Sequence, residues 1–328
     1  MTKSLRILAW VHLYPPDHCA GAEMMLHEIL VKLKSMGHKV SVYLDSSTVD
    51  EWEGIRIYTQ ETADPSDLIN SHDIIFTHLD RTKLVIMTNS GRRPIVHLIH
   101  NDKQLKFHRV RPQDAALVVA NSAWIRDAIN WSGPTMVLPP PVDPARYKTT
   151  KGDAITLINM GENKGARLFW TLTRIMPERK FIAVKGGYSE QIVANKVPAN
   201  VEVIEHTPDI RSVYAKTRLL LMPSAYESWG RTGIEAAASG IPTIAHPTPG
   251  LLESLGEAGT FADRGDIADW VEAIRALDDP DLYAEKSAAA LARSAELEPT
   301  AMIAELETLL HGLVKHERLE TLDDPAGE

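Results

Sequence analysis

Residues 219–245 read LLLMPSAYESWGRTGIEAAASGIPTIA, and this stretch decides the fold. An apolar run that suits a buried strand leads into a loop, and an Ala-rich helix begins near Gly230. A Gly-Ile-Pro turn then returns the chain to a second short strand. Two apolar strands joined by one helix form the βαβ unit of a parallel sheet. The stretch therefore predicts an open α/β sheet with helices on its faces.

Outside this stretch, short apolar runs alternate with amphipathic helical segments along the whole chain. The predicted strands are residues 5–11, 40–44, 73–77, 95–99, 116–120, 136–138, 155–159, 181–184, 201–204, 219–222 and 242–245. A helix predicted from Gly21 ends at Gly37-His38, where a glycine suits the C-cap. Residues from Asp266 to about Leu313 are also predicted to be helical.

A proline-rich segment separates the two series of strands. Pro139-Pro140-Pro141 cannot lie inside a helix or a central strand. The 328 residues also exceed what one hydrophobic core usually holds. We therefore predict two Rossmann-like domains that face each other across a cleft, with the last helix able to pack back on the first domain. The predicted segments are a first domain at 1–147, a second domain at 148–319 and an acidic tail at 320–328.

The charge is unevenly distributed. Residues 1–147 carry 16 basic and 16 acidic side chains, whereas residues 148–328 carry 19 and 28, which together give the net charge of -9. This is not the profile of a protein that binds nucleic acid as a whole. The single cysteine, Cys19, excludes an internal disulfide and favours a reducing compartment. Because no signal-peptide core follows Arg6 and no apolar run is long enough to span a bilayer, we expect a cytoplasmic protein.

The loop and helix start after residue 222 suit a ligand with phosphate and hydroxyl groups. Gly230 and Gly233 let the backbone approach a ligand closely, and the helix N-terminus favours an anion. Glu227 and Glu235 carry carboxylates that can accept paired hydrogen bonds from vicinal hydroxyls, as in a ribose or a hexose. The alternative is a loop residue and a solvated helix residue. The Ala-rich helix favours function, because a buried carboxylate is costly without a partner.

Two further segments add phosphate-binding features. In ITLINMGENKGARLF, residues 155–169, Lys164 lies beside a helix start, where a cation can neutralise a leaving diphosphate. In YPPDHCAGAEMMLHEIL, residues 14–30, Gly21 opens a helix after the first strand, at the edge where ligands bind in open α/β sheets. One glycine is less than GxGxxG, so no dinucleotide fingerprint is present.

Taken together and in this order, these segments resemble the family-four retaining glycosyltransferases of GT-B fold, the glycosyl transferases group 1. The resemblance covers most of the chain. Its motifs are Gly-Ala-Glu at 21–23, Gly37-His38, Val-Ala-Asn-Ser at 119–122, Pro-Pro-Val-Asp at 140–143, Asn-Lys-Gly at 163–165, Pro223-Ser224 through Glu227, Gly230, Glu235-Ala236, Gly-Ile-Pro at 240–242 and Gly-Leu-Leu-Glu at 250–253.

The resemblance implies a role for individual residues of a nucleotide-sugar site. Glu227 lies near the hydroxyls of the transferred sugar, and His100, directly after the strand at 95–99, lines the pocket of the donor sugar; these two are the predicted catalytic residues. The implied donor-binding residues are Gly21 and Lys164 on the phosphates, Glu235 on the ribose, and the backbone of Ser228, Trp229, Gly230 and Arg231 on the sugar and diphosphate.

The chain departs from the family pattern at one phosphate-binding position. The family usually has an arginine a few residues before Lys164, and this chain has Asn159-Met160-Gly161 there. Either Asn159 hydrogen-bonds the phosphates without charge, or another cation, Lys185 or Arg231, takes the place of the arginine.

The implied reaction is transfer of a hexose-type sugar from a nucleotide-diphosphate sugar to an acceptor hydroxyl with retention of configuration. We favour a front-face route in which the leaving diphosphate helps to deprotonate the acceptor; a Glu227 nucleophile is the rival route. We predict no cofactor and no metal. Asp279-Pro280-Asp281 reads as a helix N-cap and not as a metal-binding Asp-x-Asp, and His97 with His100 makes a poor ligand set.

The acceptor and two rival functions stay open. Between residues 92 and 111 lie six basic residues and one acid, Asp102. An anionic acceptor or carrier, including a phospholipid surface or an exposed nucleic acid, is one hypothesis, and a solvated basic face is the other. A GT-B sugar-nucleotide epimerase or hydrolase would use similar nucleotide contacts. A non-catalytic nucleotide-sugar-binding protein is the second rival, given the missing arginine.

Overall fold

A computed structural model describes residues 3–187, 190–207 and 209–320 of the chain. The chain divides into two compact units: unit 1 comprises residues 1–141 and 299–328, and unit 2 comprises residues 142–298. Residues 321–328 of the predicted acidic tail lie outside the described residues. Each unit has its own mainly parallel sheet with helices packed on it, which confirms the prediction of two Rossmann-like domains.

Unit 1 contains an eight-stranded sheet in the order β3-β4-β2-β1-β5-β6-β7-β8. Its neighbouring strands are parallel except for the antiparallel pair β3 and β4. The strands are β1 (Arg6–Trp10), β2 (Lys39–Leu44), β3 (Glu51–Trp52), β4 (Ile55–Thr59), β5 (Ile74–His78), β6 (Ile95–Ile99), β7 (Leu117–Ala120) and β8 (Thr135–Val137). The helices are α1 (Gly21–Ser35), α2 (Pro65–Ser71), α3 (Thr82–Asn89), α4 (Gln104–His108), α5 (Ala123–Ala128) and, from the end of the chain, α13 (Thr300–Glu320).

The largest core of unit 1 joins its first and last helices to the sheet. Helix α1 ends at Ser35, and Gly37, just after the C-cap, has a φ of 95° in the left-handed region that glycine adopts without strain. Its apolar face packs with the apolar face of α13, because both helices repeat buried residues at helical spacing. These buried residues are Met25, Leu26, Ile29, Leu30, Leu33, Ile303, Leu306, Leu310 and Val314.

Unit 2 contains a six-stranded parallel sheet in the order β11-β10-β9-β12-β13-β14. The strands are β9 (Ala154–Ile158), β10 (Phe181–Val184), β11 (Val201–Ile204), β12 (Thr217–Met222), β13 (Thr243–Ala245) and β14 (Thr260–Phe261). The helices are α6 (Pro144–Tyr147), α7 (Ala166–Ile175), α8 (Arg211–Tyr214), α9 (Arg231–Ala237), α10 (Pro249–Leu255), α11 (Ile267–Ala276) and α12 (Pro280–Glu296).

The unit boundaries differ from the predicted domain boundaries. Unit 2 begins at Val142 and not at residue 148, because Val142 and Tyr147 are buried in a core of unit 2. Unit 2 ends at residue 298, and α13 belongs to unit 1, as the packing of its apolar face explains. The region predicted as helical from Asp266 is three helices, α11, α12 and α13.

The strand order of each sheet reverses at one point. In unit 1 the reversal lies between β1 and β5, and in unit 2 it lies between β9 and β12. Chains that leave such neighbouring strands diverge to opposite sides of the sheet, which opens a crevice outside their carboxyl ends. The loops that follow these four strands are therefore the candidate ligand-binding segments. Among the described residues, no helix combines the length and apolar character that crossing a membrane requires.

Candidate functional site

The crevice of unit 2 brings two predicted site residues into contact. Lys164 lies in a 3-10 turn, Glu162–Lys164, after β9, and Glu227 lies in the loop after β12. The Nζ atom of Lys164 is 2.5 Å from Oε1 of Glu227, and the side chains are only 23% and 13% exposed. Ser224 donates from Oγ to the same carboxylate oxygen over 2.8 Å. A cation and a carboxylate therefore lie side by side at the switch point of the sheet.

The Lys164 turn is fixed to the Glu227 loop by the backbone. The N–H of Ala225 donates to the carbonyl of Asn163 over 2.8 Å. Gly165 has a φ of 88°, and a Cβ there would lie 2.4 Å from Pro223 Cγ and 2.8 Å from the Pro223 carbonyl oxygen. Arg264 donates to the carbonyls of Glu162 and Asn163 over 2.7 and 3.2 Å. The turn therefore approaches the loop as closely as a glycine allows.

The Glu227 loop is held from its other side by helix α10. A Cβ on Gly250, in the first turn of α10, would lie 2.3 Å from the Glu227 carbonyl oxygen and 2.5 Å from the Ser228 carbonyl carbon. Gly230 has a φ of 94° and is covered by Leu251. Trp229 is buried, so its side chain belongs to the packing of the loop. Of this predicted donor-binding segment, Ser228 is partly exposed, whereas Trp229, Gly230 and Arg231 are buried.

Glu235 and Arg231 form a buried network inside unit 2. Arg231 donates from Nε to Oε1 of Glu235 over 2.6 Å, and the Tyr214 hydroxyl donates to Oε2 over 2.8 Å. Arg231 also donates from Nη2 to the Tyr147 hydroxyl over 2.6 Å. Burial, followed by the Glu235 charge, raises the pKa of Tyr214 well above its usual range, so Tyr214 stays a hydrogen-bond donor. A buried Glu235 does need partners, and here the protein supplies them.

Two of the predicted phosphate contacts are occupied by protein groups. Arg231, one possible replacement for the missing arginine, is paired as described, and Lys185, the other, is 2.7 Å from the carboxylate of Glu205. The helix that Arg231 opens, α9, has seven residues, so its dipole is smaller than the sequence suggested. Of the three cations that could bind phosphate, Lys164 is thus the one that lies directly at the switch point of the unit 2 sheet.

Asn159 stands where the family resemblance leads us to expect an arginine, and its side chain forms hydrogen bonds with the protein itself. Its φ is 72°, and its Oδ1 accepts hydrogen bonds from the Gly161 N–H over 3.0 Å and from Gln191 Nε2 over 3.1 Å. A Cβ on Gly186 would lie 2.4 Å from Asn159 Cγ, so the neighbouring backbone packs directly on this amide. Its predicted contact with phosphate therefore rests on the amide nitrogen alone.

In unit 1, Gly21 begins helix α1 after the β1 loop. A Cβ at Gly21 would meet no described atom within 4 Å, and its φ lies outside the left-handed region. The N-cap residue, Ala20, supplies no side-chain cap. The fold itself therefore does not require a glycine here.

His100 lies at the carboxyl edge of unit 1, next to a histidine that the sequence analysis did not single out. His100 Nε2 is 2.9 Å from Nδ1 of His78, the last residue of β5. The backbone N–H of His100 donates to Oε1 of Gln104 over 2.8 Å, and Gln104 donates from Nε2 to the Leu98 carbonyl over 2.7 Å. Ring and backbone of His100 are thus both held in place.

The histidines of this edge are neutral. Burial, followed by the proximity of His12, lowers the pKa of His100 to about 3. Burial and three neighbouring histidines hold the pKa of His78 well below its usual range. Burial likewise lowers the pKa of His97 to about 3, and the pKa of His12 below its usual value. His100 therefore acts at neutral pH as an uncharged hydrogen-bonding group.

The six basic residues between 92 and 111 differ in their partners. Arg92 and Arg93 donate to backbone carbonyls of the neighbouring helices, and Arg111 pairs with Asp114 over 3.0 Å. The remaining three are Lys103, Lys106 and Arg109, on or beside α4. Lys106 and Arg109, together with Arg111, line a depression of 410 Å³, and Phe107 is 77% exposed.

A second depression of unit 1, of 630 Å³, has the opposite charge. It lies at the carboxyl ends of β1, β2 and β4, where the Trp10 and Tyr43 rings form its floor. Its charged lining residues are Asp45, Glu61 and Asp64. Aromatic rings beside carboxylates suit a polyhydroxylated ligand better than an anionic one.

His38, Glu307 and His311 are the described residues whose ligand atoms lie close enough together for one metal ion. His38 accepts a hydrogen bond at Nδ1 from the Leu5 N–H over 3.1 Å, and its Nε2 is 3.1 Å from Glu307. A metal-binding histidine donates from its other ring nitrogen, whereas Nδ1 of His38 accepts. The proton of His38 is therefore on Nε2, and the group links the end of α1 to α13.

The structure adds site residues that sequence reasoning missed. Ser224, Arg264 and Gly250 shape the Lys164 and Glu227 pair, and His78 and Gln104 hold His100. Ser224 and Gly250 lie in motifs already noted. Arg264 is about 100 residues from its partners in sequence, so no local pattern points to it.

Comparisons with known proteins agree with this picture. Residues 155–279 match the family model described as glycosyl transferases group 1. A D-inositol 3-phosphate glycosyltransferase of Corynebacterium kroppenstedtii is 39% identical over 75 residues, which are 22% of this chain and 17% of that protein. Its counterpart in Mycolicibacterium smegmatis is 25% identical over 219 residues, 66% of this chain and 46% of that protein. The chain thus spans less than half the length of these two relatives.

Solved structures show the same fold. HepE of Anabaena, crystallised with UDP-glucose, has a TM-score of 0.77 at 19% identity and covers 93% of this chain and 99% of that chain. Sucrose-phosphate synthase of Thermosynechococcus elongatus has a TM-score of 0.72 at 15% identity, over 97% and 100% of the two chains. Residues 155–279 therefore resemble the glycosyl transferases group 1 proteins in sequence, and the chain has the GT-B fold.

Proposed function

We propose that this protein is a retaining glycosyltransferase that moves a hexose-type sugar from a nucleotide-diphosphate sugar to an acceptor hydroxyl, without a metal ion. The observation that carries the proposal is the contact of Lys164 with Glu227 at the switch point of unit 2. Both residues lie in the segment that matches the glycosyl transferases group 1 model. The UDP-glucose bound by HepE supports a nucleotide-sugar donor.

The pair suggests how unit 2 would respond to a donor. Without donor, Lys164 and Glu227 neutralise each other. A diphosphate carries more charge than one carboxylate and forms strong charge-assisted hydrogen bonds, so it would compete for the Lys164 ammonium. The carboxylate of Glu227 would then be free to accept hydrogen bonds from sugar hydroxyls. As the glycosidic bond breaks, charge grows on the diphosphate, and a preorganised Lys164 would stabilise that charge most in the transition state.

The residue roles in this proposal follow the family resemblance. His100 would donate or accept one hydrogen bond to the donor sugar as a neutral imidazole, since burial lowers its pKa to about 3. Glu235 would bind the ribose only by sharing oxygens that Arg231 and Tyr214 already use. The backbone of Ser228, Trp229, Gly230 and Arg231, with Gly21, Asn159 and Lys164, would complete the donor contacts.

The front-face route remains our preferred mechanism. Ser224 donates to Oε1 of Glu227, and a carboxylate that accepts such a hydrogen bond is stabilised as an anion and is less nucleophilic. Glu227→Gln separates the routes. If Glu227 is the nucleophile, the Glu227→Gln variant should lose turnover and form no covalent glycosyl-enzyme intermediate. If Glu227 recognises hydroxyls, the variant should have a raised KM for the donor and a residual turnover that retains the configuration.

The first experiment is a thermal-shift screen with UDP-, GDP-, ADP- and TDP-sugars, followed by mass spectrometry of products formed in extract. A donor that stabilises the protein and a sugar transferred to an extract component support the proposal. Turnover of the donor without acceptor indicates an epimerase or hydrolase. Donor binding with no transfer to any extract indicates a non-catalytic nucleotide-sugar-binding protein. Loss of transfer with a chelator, restored by Mg²⁺ or Mn²⁺, overturns the metal-independent mechanism.

For the acceptor, we propose an anionic group bound beside α4. Lys106 and Arg109 line one depression and make no ion pair with the described residues. Reversal of charge at Lys103, Lys106 and Arg109 is expected to raise the acceptor KM, and more so at low salt. An unchanged acceptor KM rejects this hypothesis. A raised KM in Glu61→Lys would point to the acidic depression instead, with a matched reversal at the exposed Lys83 as control.

A further inference from the structure

The structure constrains which of the two rings donates the hydrogen bond between His78 and His100. Both imidazoles are neutral, because burial lowers both pKa values far below 6.5. A hydrogen bond between Nδ1 of His78 and Nε2 of His100, 2.9 Å apart, then needs one N–H and one lone pair. Two arrangements satisfy this requirement, and they differ in which nitrogen of each ring carries its single proton.

The surroundings of His78 distinguish the two arrangements. Its Nε2 is buried and has no hydrogen-bond partner among the described residues. If His100 were the donor, His78 would carry its own proton on Nε2 as a buried N–H without an acceptor, which costs about 1–3 kcal/mol. If His78 is the donor, Nε2 is only an unused lone pair, and unused acceptors are tolerated more often than unused donors. His78 therefore donates from Nδ1 to Nε2 of His100.

This direction determines what His100 can offer a ligand. With Nε2 accepting from His78, the single proton of His100 is on Nδ1. Gln104 accepts from the backbone N–H of His100 and donates to the Leu98 carbonyl, so the residue cannot turn away easily. We propose that His78 is a positioning residue that fixes His100 in the Nδ1–H form, so that His100 donates a hydrogen bond to an oxygen of the donor sugar. The role toward the sugar rests on the proposed function; the tautomer does not.

The position of His78 in the fold supports a functional role for this residue. It ends β5, on one side of the switch point of the unit 1 sheet, and His12 follows β1 on the other side. The His12 and His78 rings meet edge to face, with centroids 5.9 Å apart. A buried imidazole with an unsatisfied nitrogen is a poor choice for packing alone, because an apolar ring of similar size has no polar atom to leave unpaired.

Three substitutions test the proposal. His78→Asn keeps an N–H near the position of Nδ1, His78→Phe keeps a ring without a donor, and His78→Asp puts an acceptor there. Long-range ¹H–¹⁵N NMR of histidine-labelled protein reports the protonated nitrogen of His100. We expect Nδ1–H in the wild type and in His78→Asn, and Nε2–H in His78→Asp. A wild-type spectrum with Nε2–H overturns the proposal, whether or not the protein proves to be a transferase.

Kinetics with UDP-glucose then separate positioning from simple stability. We expect His78→Asn to keep kcat/KM within about threefold, and His78→Phe and His78→Asp to lose about tenfold, the value of one hydrogen bond. His72→Asn is the matched control, since His72 also bonds within unit 1, to Ser41 and the Leu68 carbonyl. Equal losses in all four variants, in proportion to their melting temperatures, would show a structural role and reject positioning.

Discussion

Lys164 and Glu227 are 63 residues apart in sequence, and their charged atoms are 2.5 Å apart in unit 2. The contact exists because β9 and β12 are neighbours at the point where the strand order reverses. Each strand delivers one side chain to the same crevice. The pair is partly shielded from solvent, so its charges are screened less than those of a surface ion pair.

Lys164→Gln tests the role of this ammonium in donor binding. Removing one charge-assisted hydrogen bond to a diphosphate should weaken the affinity for UDP-glucose by about 10- to 100-fold, as measured by titration calorimetry. Lys216→Gln removes the same charge from an exposed pair with Glu202 and should leave the affinity unchanged. Equal affinity of Lys164→Gln and wild type would show that Lys164 does not bind the donor.

Glu235→Gln tests the buried network around Arg231. The variant leaves a guanidinium that is 8% exposed without its counter-charge, which typically costs about 3–5 kcal/mol. The expected result is a large decrease in the urea midpoint of unit 2. Glu162→Gln breaks an exposed pair with Arg167 and should change stability by less than about 1 kcal/mol. If both variants melt like the wild type, the network does not stabilise unit 2.

Gly250→Ala tests the close approach of α10 to the Glu227 loop. The new Cβ would overlap the backbone at Glu227 and Ser228, which must move away. Because small displacements of positioned groups reduce catalysis strongly, we expect transfer activity to fall by about tenfold or more. The control is Gly312→Ala in α13, where a Cβ meets no described atom; it should add up to about 1 kcal/mol of helix stability. Full activity in Gly250→Ala would contradict the assigned contact.

Acid should destabilise unit 1 through its buried histidines. The folded-state pKa of His97 is about 3, below the unfolded value of 6.5, so the unfolded chain binds more protons between these values. Stability is complete above pH 6.5 and is lost as the pH falls toward 3. Between pH 7 and pH 5 one such histidine accounts for about 2 kcal/mol.

His97→Gln isolates this effect, because Gln keeps a polar group near Thr82 and does not titrate. Urea unfolding at pH 7 and pH 5 should show a smaller loss in the variant than in the wild type, by about that amount. Parallel pH dependences in the two proteins would mean that His97 is protonated in the folded state.

The sequence predicted the central strands well, because they are buried on both faces and read as apolar runs. Strands β6 and β10 have the predicted bounds, and so does the partly buried edge strand β11. Three short strands were missed: β3, β4 and β14. Strand β4 alternates buried and exposed residues, and β3 and β14 have two residues each. The two-residue strands carry too little apolar pattern to be recognised alone, whereas β4 lies between β3 and β2 and was missed although its alternation suits a half-buried strand.

The sequence identified several residues of the candidate site, but it did not predict most of the contacts between them. Lys164 and Glu227 each follow an apolar strand, which places them at a sheet edge. That they meet depends on strand order, which no local pattern specifies. The pairing of His78 with His100 has the same cause, since β5 and β6 are adjacent. Glu235 was correctly predicted to be in a buried helix, but its protein partners, Arg231 and Tyr214, were not foreseen; its contact with ribose stays a prediction.

The return of α13 to unit 1 has a consequence for biosynthesis. Unit 2 is one continuous segment, residues 142–298, and all of it leaves the ribosome before α13 does. Until then the apolar face of α1 lacks the partners supplied by Ile303, Leu306 and Leu310. During translation the second unit can therefore complete its core first, while the first unit keeps an uncovered surface that is open to chaperones.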